Sequence, residues 1–166
     1  LGIVLRPRLV VADEPTTALD TLVQAQILEI LRGLAENQGI AVLLITHNIG
    51  AVAETCDRVA VMYAAKVVEV GSVEQVLAAP GHPYTQGLIA SVIDLGTESL
   101  SSIPGAPPDL ADPPPGCRFH PRCPHVMEVC RSVEPPPVAV GEGTVACWLH
   151  VPEAARPATA VRRGPA

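Results

Sequence analysis

The chain has 166 residues, 48 % hydrophobic but only 2 % aromatic, with five cysteines and a formal net charge of −6. That length holds one domain, or a partial domain plus a small appendage, and aliphatic residues with Ala must fill its core. The acidic balance and the lack of a Lys/Arg-rich patch argue against a nucleic-acid face, no apolar run approaches the ~20 residues of a membrane span, and no signal peptide opens the chain, so the sequence reads as cytoplasmic and its cysteines as metal or redox residues rather than disulfides.

Leu9-Val10-Val11-Ala12 is an apolar strand that ends in two adjacent carboxylates, Asp13 and Glu14. Pro15-Thr16-Thr17-Ala18-Leu19-Asp20 then makes a turn and a helix start. Open α/β sheets bind ligands at the carboxyl ends of their strands. The pattern therefore sets Asp13 near a magnesium ion on a nucleotide, and Glu14 toward the water that attacks the terminal phosphate. That is the Walker B half of a phosphoryl-transfer site. The same acids would equally suit a plain helix N-terminus, with Pro15 at an early helical position. The full string resembles the Walker B and D-loop of ABC-type ATPases, an Asp-Glu-Pro-Thr block followed by Ala-Leu-Asp. The resemblance implies that Asp20 lies on a loop crossing a dimer interface and helps couple two ATP sites. No Gly-x4-Gly-Lys-Ser/Thr phosphate loop occurs in the sequence. A Walker B strand without it lacks the backbone cradle and lysine that hold phosphates. The expectation is a fragment whose N-terminal portion is missing, inactive as an ATPase by itself.

A helix follows over residues 21–37, with Leu22, Ala25, Leu28 (or Ile27), Leu31 and Leu34 as its core stripe. Gln38-Gly39 closes it. Ile40 to Ile45 is a continuous apolar strand of the kind found inside parallel sheets. It ends in Thr46-His47-Asn48, which makes His47 the second polar group delivered to a strand carboxyl end. His47 resembles the switch histidine of ABC ATPases, which contacts the γ-phosphate; Asn48 stands where that family usually has Asp. A short helix is expected over 49–55, then Cys56 as a small buried apolar residue. Residues 57–63 and 66–71 form a hairpin. Ala64-Ala65 occupies its turn where the family usually has Gly, and a positive φ there would add strain. Ser72 and Gln75 have capping-box spacing.

His82-Pro83-Tyr84-Thr85 starts a further helix running to about Val92, with Pro83 suited to its first turn. Pro80-Gly81-His82-Pro83-Tyr84-Thr85, together with the cysteines beyond, resembles the oligopeptide/dipeptide subgroup of ABC importer ATPases. That subgroup carries a C-terminal extension beyond the nucleotide-binding domain. Pro104, Pro107, Pro108 and Pro113-Pro114-Pro115 exclude helix and make 103–116 extended and stiff. The organisation expected is the C-terminal part of a nucleotide-binding domain over 1–93, a Pro-rich linker over 94–116, a cysteine-rich extension over 117–150, and a disordered tail over 151–166. The fold class is α/β, a partial P-loop NTPase of ABC type.

Cys117-x5-Cys123-x6-Cys130-x16-Cys147 lies wholly after the prolines. Four cysteines in a segment too small to bury much core suggest a metal staple. Three readings stay open: a four-iron four-sulfur cluster, zinc, whose ligand pairs are usually closer in sequence, and free thiols. The subgroup resemblance favours the cluster. His120 and His125 flank Cys123 and could replace a thiolate, though outer-sphere or exposed positions are the first expectation, and Trp148 is expected to pack over the site.

The resemblance implies an ATP- and Mg2+-dependent subunit at the cytoplasmic face of the cell membrane that powers import of peptides or similar small solutes. Its partners would be a second ATPase subunit, identical or related, transmembrane permease subunits and, indirectly, an extracytoplasmic solute-binding protein. Glu14 and His47 would be catalytic, Asp13 and Asp20 would serve the nucleotide site, and Cys117, Cys123, Cys130 and Cys147 would bind metal. One rival is a regulatory or docking module that binds metal or an iron–sulfur cluster without ATPase activity. Another is a P-loop ATPase outside transport, against which the missing basic stretches and the His-Pro-Tyr element count.

Overall fold

A computed structural model describes residues 7–91 and 102–157. The chain forms two compact units, one up to Asp57 and one from Arg58.

In the first unit β1 (Leu9–Asp13), α1 (Thr21–Gln38), β2 (Ala41–Ile45) and α2 (Ile49–Thr55) follow the predicted order. β1 and β2 pair in parallel, from Leu9 opposite Ala41 to Asp13 opposite Ile45. Both strands therefore deliver their carboxyl ends to one edge. α1 is the crossover. Its first turn is capped by the Asp20 carboxylate, which accepts the N–H groups of Leu22 and Val23 at 3.1 and 3.0 Å. Its last turn closes on Gly39 at φ 63°, a left-handed position that glycine occupies without a Cβ penalty.

Leu31, Leu34 and Ile40 are buried against Val10, Ala12, Val42 and Leu44, each large side chain contributing about 1.5–3 kcal/mol. The expected stripe is only half realised. Leu28, Leu31 and Leu34 are buried, whereas Leu22 is 73 % exposed and Ala25 is exposed as well. Length explains it. Eighteen helical residues span about 27 Å and five strand residues about 16 Å, so the strands cover only the later turns of α1. The strands also alternate rather than being buried throughout: Leu9, Val11, Leu43 and Ile45 are exposed on the face away from α1.

The second unit is an antiparallel sheet in the order β3-β4-β6-β5. The predicted hairpin supplies β3 (Arg58–Tyr63) and β4 (Lys66–Ser72), while β5 (Pro137–Val140) and β6 (Gly143–Ala146) come from the cysteine-rich segment. β6 pairs with β4, Glu69 opposite Val145 and Val70 opposite Thr144, so this segment completes the sheet of the hairpin. Ala64 and Ala65 have φ of 46° and 62°, the left-handed pair that a two-residue hairpin turn demands. The strain expected of alanine there is present, at about 1–2 kcal/mol per residue.

α3 (Val73–Ala78) and α4 (Pro83–Ala90) follow the hairpin; Val92, the expected helix end, lies outside the described residues. Ser72 Oγ accepts the Gln75 N–H at 3.2 Å, but the capping box is not reciprocal. The Gln75 amide instead donates to Val140 O at 2.7 Å and accepts from Glu142 N–H at 3.3 Å, tying α3 to the β5–β6 turn.

The few aromatic residues are gathered in this unit. Tyr63, Tyr84 and Phe119 form a triangle with ring centroids 4.6–5.5 Å apart, packed with Val61, Val68 and Val76. The all-aliphatic core expected from composition therefore holds for the first unit only. Arg122 fastens the proline segment to this core: its guanidinium donates to Pro104 O, Ile103 O and Tyr63 Oη at 2.8, 3.1 and 3.2 Å. At the other end Glu153–Ala155, expected within the tail, forms a 3-10 turn, and Val151 is buried. Among the described residues no helix is long and apolar enough to cross a membrane.

Candidate functional site

In the first unit, the parallel register brings Glu14 and His47 to the same sheet edge. Glu14 directly follows β1, and its N–H continues the ladder to Ile45 O at 2.9 Å. At φ 47° it sits in the left-handed region, which costs a non-glycine residue free energy and is typically retained at functional sites. Its carboxylate is held at both oxygens: Thr17 Oγ1 donates to Oε2 at 2.9 Å, and His47 Nδ1 lies 2.9 Å from Oε1. The hydrogen bonds from His47 and Thr17 lower the Glu14 pKa below its usual range, so Glu14 is an oriented carboxylate at neutral pH.

His47 is itself exposed, with 82 % of its side chain accessible. Nδ1 is committed to Glu14 and Nε2 projects on the far side of the ring. Asn48 serves as the N-cap of α2, its Oδ1 accepting Ala51 N–H at 3.1 Å. Asp13 is exposed at the end of β1. Asp20, predicted at an interface, spends one oxygen on capping α1. The turn between Glu14 and Asp20 is braced by Gln24, whose amide donates to Thr16 O and Leu19 O at 3.2 and 3.0 Å. The sequence reading missed Gln24 and Thr17; Thr17 stands three residues after Glu14, where a hydroxyl can reach back.

In the second unit the four later cysteines converge. Cys117, Cys123, Cys130 and Cys147 line one partly open cavity of about 10 Å³, together with His82, His120, His125 and Trp148. The loops that carry them are locked. Cys117 N–H donates to Cys130 O at 2.9 Å, and Gly116, at φ +68°, passes so close that a Cβ there would lie 2.5 Å from that oxygen. Trp148 is buried as expected, its Nε1–H donating to Val133 O at 3.0 Å.

All four are free cysteines, and among the described residues no three His, Cys, Asp or Glu stand so that they could hold a metal ion. The predicted metal ligands thus share a cavity without forming a ready ion site. Burial favours the thiol form at three of them: it raises Cys117 and Cys123 and pushes Cys147 up to about 11, with the neighbouring sulfurs adding to the effect. Backbone N–H groups act the other way: those of Phe119 and His120 on Cys117, His125 on Cys123 and Leu149 on Cys147 favour the thiolate. Met127 N–H approaches Cys130 Sγ at 3.5 Å. Cys56, in the first unit, is half-buried, and burial raises its thiol too.

Like Thr85 in α4, His82 is fully buried, 1 % exposed, and it is the titratable one of the pair. It caps α4 with Nδ1, which accepts Tyr84 N–H at 3.0 Å, while Nε2 has no partner. Burial, then the nearby His150, drives its pKa down to about 4. The loop before it is pinned by Glu69, 3 % exposed, whose carboxylate accepts the N–H groups of Gly81 and His82 at 2.7 and 3.0 Å. His150 Nε2 lies 2.8 Å from Gly81 O. Neither Glu69 nor His150 was singled out in the sequence; the signal was a lone carboxylate inside an otherwise apolar β run.

Residues 68–130 match the family model described as the oligopeptide/dipeptide transporter C-terminal region. The chain is 47 % identical over 153 residues to the dipeptide transport ATP-binding protein DppD of Bacillus subtilis, an alignment covering 90 % of this chain and 46 % of that protein. It is 46 % identical to the oligopeptide transport ATP-binding protein AppD of the same organism, over 90 % of this chain and 46 % of the relative. It is 45 % identical to a putative peptide import ATP-binding protein of Brucella ovis, over 86 % and 44 % respectively. The chain thus spans about half the length of these relatives.

Proposed function

We propose, for a chain that belongs to the oligopeptide/dipeptide ABC importer ATP-binding proteins, that it contributes the hydrolytic half of an ATP site powering import of peptides or similar small solutes. The observation that supports this best is the Glu14–His47–Thr17 constellation at the carboxyl ends of two parallel strands. A carboxylate fixed at both oxygens can orient a water and receive its proton as the water attacks phosphorus. His47 holds Glu14 through Nδ1 and, when also protonated at Nε2, would offer a donor to the terminal phosphate. Asp13 would hold Mg2+, directly or through water. Asp20 would keep its α1 cap while its remaining oxygen couples to a second ATPase subunit. The assembly would sit at the cytoplasmic face of the membrane with permease subunits, and an extracytoplasmic binding protein would deliver solute.

Glu14→Gln in the full-length ATPase keeps the side chain's shape and removes the base. ATP-dependent dimerisation should persist and turnover should stop. Hydrolysis by Glu14→Gln at the parent rate would overturn the assignment.

For the cysteine quartet we propose a four-iron four-sulfur cluster, with zinc as the alternative. Four thiols around one cavity match the donor set, and backbone N–H groups directed at the sulfurs would stabilise thiolates in an otherwise apolar lining. The cavity as it stands accommodates about one water, so a cluster would part the cysteine loops. Such a group would supply a cross-link between these loops and a one-electron couple. Iron and acid-labile sulfide in anaerobically purified protein support this reading, whereas stoichiometric zinc without sulfide refutes it.

A further inference from the structure

We propose that His82 is a hydrogen-bond donor to sulfur in the cysteine-lined cavity, its Nε2–H bonding a sulfur of the group the cysteines hold and raising that group's reduction potential. The proposal rests on the iron–sulfur reading above. A neutral imidazole carries one N–H. Nδ1 accepts the Tyr84 N–H, so the proton is on Nε2, and that donor is buried with no partner. Buried N–H groups almost always have one. His82 lines the cavity beside all four cysteines, so the cavity wall offers it sulfur acceptors.

The imidazole is not free to seek another partner. Its ring is seated against Phe119, with centroids 5.8 Å apart. The Glu69 carboxylate holds its backbone N–H, and the α4 cap fixes its ring orientation. Thr85 Oγ1, one turn further along α4, is the other buried polar atom without a partner. A buried water shared by the two would leave the sulfurs untouched, and the test separates that arrangement from the proposal.

A donor on sulfur favours the reduced, more negative state of a cluster. His82→Asn keeps a cap acceptor, since Asn is a preferred N-cap residue, and removes the Nε2 donor. The full chain is reconstituted anaerobically with ferrous iron and sulfide and titrated by EPR. His82→Asn should shift the one-electron reduction equilibrium roughly tenfold toward the oxidised form, about 59 mV lower. ENDOR on the reduced protein labelled with 15N-histidine should show a coupled histidine nitrogen and an exchangeable proton that persist when His120 and His125, which line the same cavity, are changed to Gln; this leaves His82 intact and decides the matter if His82→Asn folds poorly. Cluster uptake with an unchanged potential and no histidine coupling would overturn the His82 proposal alone. A parent that takes up no iron and sulfide would remove the cluster reading, and this proposal with it.

Discussion

The carboxylate of Glu69 is buried and accepts two backbone N–H groups, from Gly81 and His82. Glu69→Gln keeps the volume but turns one of the two oxygens into an NH2 group that faces a donor. One buried N–H then loses its acceptor, at a cost of about 1–3 kcal/mol. Glu69→Ala orphans both, at about 2–6 kcal/mol. At about 4–8 °C per kcal/mol for a unit of this size, Glu69→Gln should lower Tm by at least several degrees. Trp148, the single Trp of the chain, is buried in the second unit, so its fluorescence reports the unfolding of that unit alone. Amide exchange at Gly81 and His82 should accelerate in parallel. If Glu69→Gln melts within 0.5 kcal/mol of the parent and both amides stay protected, the carboxylate neither pins this loop nor fixes His82 at the cavity wall.

Two further outcomes follow from the same geometry. His82 is held near pKa 4 rather than 6.5, so the unfolded chain binds a proton that the folded one resists. The stability of the metal-free second unit is then complete above about pH 6.5 and declines as pH falls toward 4, by up to about 3 kcal/mol; His82→Asn should flatten that slope in urea titrations followed at Trp148. The turn at Ala64 and Ala65, both at positive φ, should gain about 1 kcal/mol or more from the double change Ala64→Asn and Ala65→Gly, read as a rise in Tm.

What could be read from the sequence was local. The apolar strand running into Asp13-Glu14, the three-to-four spacing through Leu34, the Gly39 stop and the His82-Pro83 helix start each carry their signal within a few residues, and each element lies where expected. The convergence of Glu14 and His47 was legible because parallel pairing of two strands joined by a helix leaves little choice of edge. The β4–β6 pairing was not, since nothing near Val145 announces its partner Glu69. Nor was the exposure of Leu22, which depends on how far the facing strands reach. Gln75 has capping-box spacing yet bonds across the sheet, because a non-local acceptor outcompeted the local one. The cysteine quartet was visible as a count and a spacing, while its lining of one cavity depends on non-local contacts, the Cys117–Cys130 backbone bond and the pairing of β6 with β4.

The pairing of β4 with β6 also sets an order of events during synthesis. The hairpin β3–β4 can form as soon as it leaves the ribosome, but the edge of β4 that β6 covers must wait for residues 143–146. At about 5–20 residues per second that edge stays open for several seconds, a template for pairing with other nascent chains. Until β6 and the residue after it arrive, the four cysteines cannot gather around their cavity, and truncation upstream of residue 143 would leave an aggregation-prone hairpin rather than a smaller folded unit.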